Sequence, residues 1–301
     1  MKKQLFISLT ILLMIFLSCK DNHTKENNNN VESDTIYIPE LINFLEKHQI
    51  DSIIDLNTGI KRYKGIISVP RDSDDFRRVN LDKVFWNDLN IRNSDFRGAS
   101  FRSAKCEMTN FSGSDFRMSD IRWSLFANAN LTNCNFDQSR MFHVNVNYAD
   151  LSNSTFRGAN MFGKEGNFAK LRNCDFSGAL MKDTEFVQAD FTGSKAVKTK
   201  LIRAVIKDSK LDSTDFSFSD FTGAGLEGST FINAKLRHVN FQGGHLQGAD
   251  LSGADLYGCN FFGTEFESTN FKGAKNIPEE IKHFIDENGL ATGIWQDMKN
   301  K

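Results

Sequence analysis

Ala249-Asp250-Leu251-Ser252-Gly253-Ala254-Asp255-Leu256-Tyr257-Gly258 states one five-residue phrase twice: small, acidic, large apolar, then two polar or turn-forming residues. The period of five fits neither the 3.6 of a helix nor the 2 of a flat strand, so the stretch is a repeat. Working outward, a large apolar residue falls in one frame from Phe76, Leu81, Trp86, Ile91, Phe96 and Phe101 to Phe261, Phe266 and Phe271. Two residues before each stands a small one, as in Ala99, Ala104, Thr109, Ser114, Cys134 and Ala254. One large and one small side chain per phrase suits a narrow, filled interior, where not every inward side chain can be large. Most glycines follow the large residue by two, as at Gly98, Gly113, Gly158 and Gly253. A turn that needs positive φ recurs there, and four such sides close a coil of about twenty residues.

These residues resemble the pentapeptide-repeat family, whose pattern is Ala-(Asp/Asn)-(Leu/Phe)-x-x. The resemblance implies an all-β solenoid, a right-handed quadrilateral β-helix, over 76–275, about 45–50 Å long at the strand spacing. Two positions depart from the pattern. Gly166 stands in the large column and reads as a local bulge or loop that keeps the frame; Ala196 reads as a cavity or a narrower coil.

The ends read differently. Met1-Lys2-Lys3-Gln4 followed by the apolar run Leu5 to Leu17 forms a signal peptide over 1–18, too short to span a bilayer comfortably. Phe16-Leu17-Ser18-Cys19 resembles a bacterial lipobox, with Phe16 where that family prefers Leu. The resemblance implies lipidation of Cys19, a membrane anchor, and residence in the cell envelope, at the outer membrane. Residues 19–35 are polar and read as a disordered tether. In 36–75 a helical face (Leu41, Ile42, Leu45) and alternating short strands from Ile50 to Val69 suggest a small N-terminal cap. In 276–301, Pro278, Glu279, Glu280 and Gly289 punctuate a C-terminal capping helix whose Ile281, Phe284 and Ile285 cover the last coil. Family resemblance adds a homodimer through that helix as a further expectation.

Chemistry is sparse. Cys106, Cys134, Cys174 and Cys259 all fall in the inward columns and are expected as free buried thiols. No HExxH or CxxC occurs, and no two of His23, His48, His143, His238, His245 and His283 share a column in adjacent coils. Neither metal, cofactor nor enzymatic activity is expected. Some family members regulate type II topoisomerases by imitating DNA through an acidic surface, a mechanism that demands cytoplasmic residence and an acidic stripe. Residues 76–275 carry 25 Lys and Arg against 22 Asp and Glu, net +3, which disfavours that alternative. Nucleic acid is not expected as a partner: Lys195, Lys198, Lys200, Arg203, Lys207 and Lys210 belong to one coil and spread around its sides. Residues twenty apart share a column, so Phe142 lies over Phe162, Trp123 and His143 share the next column, and Tyr148 and Phe168 pair around the corner. This outward aromatic patch is either a contact surface for an envelope protein, with Trp123 and Phe142 as anchors, or is covered by the N-terminal segment or by the loop near Gly166.

Overall fold

The computed structural model describes residues 70–163 and 165–292, together with three short strands nearer the N-terminus. The chain divides into two compact units, Met1–Pro70 and Arg71–Lys301. In the first, β1 (Lys3–Ile7) pairs parallel with β2 (Ile50–Asp55), which pairs antiparallel with β3 (Lys61–Tyr63). Strands β2 and β3 fall where alternation anticipates them. The helical face at Leu41–Leu45 and the 19–35 tether lie outside the described residues, and β1 falls inside the segment read as a leader.

The second unit is a four-sided coil. One residue per side makes a parallel bridge to the residue twenty further on, from Asp75↔Asp95 to Asp255↔Lys275. The ladder already begins at Ser73, whose N–H donates to Arg92 O, slightly before the expected boundary. Within each side the chain turns over the central residue, and the residue two after it holds positive φ. Glycine is therefore not the requirement the sequence suggests. His143 (φ 51), Trp123 (φ 59) and Tyr148 (φ 60) occupy the same left-handed region as Gly98 (φ 66). Closure of the coil imposes the turn on whatever residue stands there.

The interior follows from the two columns. Phe76, Phe96, Phe116, Phe136, Phe156 and Phe176 stack with ring centroids 5.1, 4.7, 4.8, 5.1 and 4.9 Å apart, close to the coil rise. Ala196 ends this stack and is itself buried. Adjacent columns meet edge-on, as Phe111 meets Phe116 at 75°.

Gly166 makes no bulge. Glu165 bridges both Asn145 and Glu185, and Gly166 N–H donates to Glu185 O at 2.8 Å. A Cβ at Gly166 would lie 2.2 Å from a ring carbon of Phe186, so the phenylalanine one coil on fills the space that a large residue would have taken.

The small column is more than small. Ser229 Oγ donates to Ile206 O at 2.6 Å and accepts the Ser209 N–H at 3.0 Å, spanning a turn of the preceding coil that lacks its own closing bond. Ser154 does the same across Leu131 and Cys134, and Ser194 across Leu171 and Cys174. Cysteine substitutes at this position: Cys134 Sγ donates to Phe111 O and Cys259 Sγ to Leu236 O. The four inward cysteines are buried, and burial pushes the Cys134 and Cys259 thiols up to about 12.

The C-terminal cap differs from expectation. Helix α1 spans only Glu279–Lys282, one turn, with Ile281 fully buried and the Phe284 ring 5.8 Å from Phe266. The chain then returns as an antiparallel edge: Phe271 N–H donates to Gly289 O, Ser268 N–H to Ala291 O and Ala291 N–H to Thr269 O. The last coil presents both apolar side chains and backbone groups, and a longer helix would satisfy only the former. Gly289 makes the return, at φ +85 with its virtual Cβ 2.8 Å from Lys272 Cα. Gly289→Ala is expected to cost about 1–3 kcal/mol from the left-handed strain and backbone clash. Hydrogen exchange should show the loss in the coils nearest residue 271 and little change near Phe96.

Candidate functional site

The ladder sorts outward residues onto four faces, each continued at intervals of twenty: face 1 begins Asp75, Arg77, Arg78; face 2 Asn80, Asp82, Lys83; face 3 Phe85, Asn87, Asp88; and face 4 Asn90, Arg92, Asn93. The corner of face 4 holds only Ser, Asn and Gly, residues that tolerate positive φ, whereas the other three corners carry bulky side chains at a conformational cost.

The aromatic residues singled out above fall in two clusters. On face 2, Phe142 and Phe162 stack at 5.1 Å, His143 sits edge-on to Phe142 at 4.2 Å and to Phe162 at 6.2 Å, and its Nδ1 lies 3.0 Å from Gly163 O. Trp123 turns edge-on to Phe142 at 5.9 Å. The Arg122 guanidinium, paired with Asp120, lies 5.2 Å from the Trp123 ring centroid, a cation–π contact that holds the indole in place. At the corner of face 3, Tyr148 and Phe168 stack at 4.7 Å. Trp123, Tyr148 and Phe168 remain 45%, 57% and 43% exposed. Among the described residues no loop near Gly166 covers them: Gly166 is buried inside the coil.

A further cluster escaped the sequence reading. Phe218 stacks on His238 at 5.0 Å, Tyr257 meets His238 edge-on at 5.2 Å, and the Arg237 guanidinium lies 4.9 Å from the Tyr257 ring. The offset of twenty from 218 to 238 was the available signal.

Charge is segregated. Over residues 72–275, face 1 carries ten basic and seven acidic residues, net +3; face 2 seven and four, net +3; face 3 two and eight, net −6; and face 4 five and five, net 0. All six glutamates of these faces, Glu107, Glu165, Glu185, Glu227, Glu265 and Glu267, stand on face 3, and no arginine does. The near-neutral sum thus conceals an acidic face, so a net charge of +3 over 76–275 does not exclude an acidic stripe. On face 1 the arginines climb between aspartates: Arg77 bonds Asp75 and lies 3.6 Å from Asp95, and Arg97 bonds Asp95 and lies 3.7 Å from Asp115. The Arg97 guanidinium holds Asp95 below the ordinary carboxylate range, and Arg77 lowers Asp75 to about 2. Among the described residues no group of three His, Cys, Asp or Glu is placed to hold a metal.

A flat-sided coil of five-residue phrases with a filled interior and patterned outer faces defines a pentapeptide-repeat solenoid. The pentapeptide-repeat model matches eight copies over 75–117, 119–158, 167–195, 199–237, 209–248 and 234–273. The chain belongs to the pentapeptide-repeat family, whose members are generally structural or interaction modules rather than enzymes. Among solved structures it is similar to HetL, a protein of heterocyst differentiation regulation from the cyanobacterium Nostoc sp. strain PCC 7120, with 20% identity over 66% of this chain and 92% of that one and a TM-score of 0.47. It is also similar to QnrB1, a plasmid-mediated fluoroquinolone resistance protein, with 16% identity over 72% of this chain and 96% of that one and a TM-score of 0.41. No curated protein matches the sequence.

Proposed function

We propose that the protein is a non-enzymatic, lipid-anchored solenoid of the bacterial envelope, right-handed like its family, which presents rigid faces to a protein partner. The anchor reading rests on the charged, apolar and Phe16-Leu17-Ser18-Cys19 sequence at the N-terminus. The contact reading rests on the face 2 aromatics, and the observation that carries it is Trp123, held in the left-handed region with its indole exposed and braced by Arg122. An exposed indole braced by a cation and set edge-on to a second outward aromatic is the kind of rigid anchor that a protein interface uses.

Radiolabelled palmitate and cell fractionation test the anchor: label and membrane residence are expected for the native chain and should both vanish in Cys19→Ala. Unlabelled native protein in the cytosol would overturn it. For the contact surface, Trp123→Ala with Phe142→Ala is expected to leave the melting temperature within a few degrees and to abolish partner capture; undiminished capture would refute the patch.

The acidic face 3 favours a second reading, a DNA-imitating regulator of a type II topoisomerase, since the stripe that mechanism demands is present. Its other demand is cytoplasmic residence, so the fractionation also discriminates between the two readings.

A further inference from the structure

Faces 1 and 2 are adjacent and together carry net +6, while faces 3 and 4, diagonally across the coil, carry net −6. A coil close to neutral in sum is therefore strongly polarised across its width. The edge where faces 1 and 2 meet is the corner column of face 1, which includes Arg78, Gly98, Met118, Lys198, Phe218 and His238. Basic and apolar groups neighbour one another there in two places, Arg78 with Met118 and Lys198 with Phe218: Met118 and Phe218 are 60% and 56% exposed, and Tyr257 lies against His238 in the second. Gly98, between Arg78 and Met118, opens a shallow hollow of about 650 Å³ lined by Asp75, Arg77, Arg78, Arg97, Gly98 and Met118. Arg77, Arg78 and Arg97 border one concavity together with the Asp75 carboxylate and an exposed thioether at its rim; Arg77 and Arg97 are paired with Asp75 and Asp95, so Arg78 is the guanidinium left for an anion. Arg78, Lys198 and Lys200 stand outside the ion pairs formed among the described residues, leaving their charge available.

We propose that this edge lies on a bilayer surface of anionic phospholipid, with the hollow at Gly98 taking a phosphate headgroup and Met118, Phe218 and Tyr257 entering the headgroup boundary. Cations with interleaved exposed apolar side chains are the combination that an anionic lipid interface recognises, the cations drawn by the surface potential and the apolar groups by the acyl boundary. Repulsion of face 3 from the same surface fixes the orientation and leaves the acidic face turned away. This deepens the envelope reading by naming the side of the coil that meets the membrane, yet it does not need the acyl chain.

The test uses the full chain carrying Cys19→Ala, so that acylation cannot supply the binding. Sedimentation with vesicles of pure phosphatidylcholine is compared with vesicles containing phosphatidylglycerol. Binding is expected to rise with phosphatidylglycerol and to fall with added salt. Lys198→Glu with Lys200→Glu should weaken it on the order of 30-fold or more, about fivefold for each of the two positive charges removed and further for the two negative charges added. Lys210→Glu with Lys272→Glu, the same charge change on face 4, should weaken it far less. All four lysines are exposed, so unaltered melting curves are expected for both variants. Equal binding to both vesicle types overturns the proposal, as does equal loss in the two double variants, or a charge dependence that appears only in self-association of the chain. A palmitate experiment that fails while anion-dependent binding persists would remove the anchor and leave this surface standing.

Discussion

Phe216→Asp is expected to abolish cooperative folding of the coils on either side of residue 216. Phe216 is 2% exposed, with its ring 5.0 Å from Phe221 and 6.3 Å from Phe231. The substitution forfeits about 1.5–3 kcal/mol of apolar burial. It also places a carboxyl group where no cation or donor waits, at a further cost of several kcal/mol whether the group ionises or takes up a proton. Together these rival the roughly 5–15 kcal/mol that holds a typical domain. Each coil touches only its neighbours, so the damage should be local first: hydrogen exchange should collapse between about residues 196 and 236 while amides around Phe96 and Phe116 stay protected. A normal melting curve would contradict the inward frame.

Ser229→Ala is the second large effect, and one that the repeat pattern alone would call harmless, since alanine is the commonest residue in that column. Ser229 is fully buried, and its hydroxyl both donates to Ile206 O and accepts from Ser209 N–H. Alanine leaves two buried backbone groups without their partner, at about 1–3 kcal/mol each. A total loss of about 2–4 kcal/mol is expected, below the sum of the two because the turn can partly close on itself as it does at Ala204, and it is read as a shift in the urea midpoint with unchanged slope. Ser229→Cys should recover part of it, because cysteine thiols already donate to the equivalent carbonyls at Cys134 and Cys259, where the N–H of the turn is closed on its own carbonyl. If alanine and cysteine variants melt alike, the bridging role is wrong.

The contrast between those two residues shows how far the sequence reaches. Phe216 is legible because its role is a matter of period and polarity, and both are written in the chain. The role of Ser229 depends on a turn twenty residues earlier lacking its own closing bond, which no property of the serine announces. The same holds at the C-terminus. Pro278, Glu279 and Gly289 mark a helix start and a stop, but the choice of one helical turn plus a returning strand was made by the unpaired backbone of the last coil. At Gly166 the frame predicted a disturbance, and Phe186 removed it by filling the gap from the next coil. At the candidate site, offsets of twenty placed Phe142 over Phe162 and Tyr148 over Phe168, while the bracing of Trp123 by Arg122 and Phe142 needed side-chain directions.

By itself the sequence determined the five-residue frame, the inward columns, the twenty-residue coil and the buried cysteines, because burial of apolar surface is a periodic and local signal. Only the tertiary structure decided which charges share a side. Winding converts an offset of twenty into contact and an offset of ten into opposition, so residues that alternate in sign along the chain separate into a +6 half and a −6 half across the coil. Coulomb interactions depend on distance in space rather than along the chain. A net charge summed over sequence therefore could not reveal the acidic face or the basic edge.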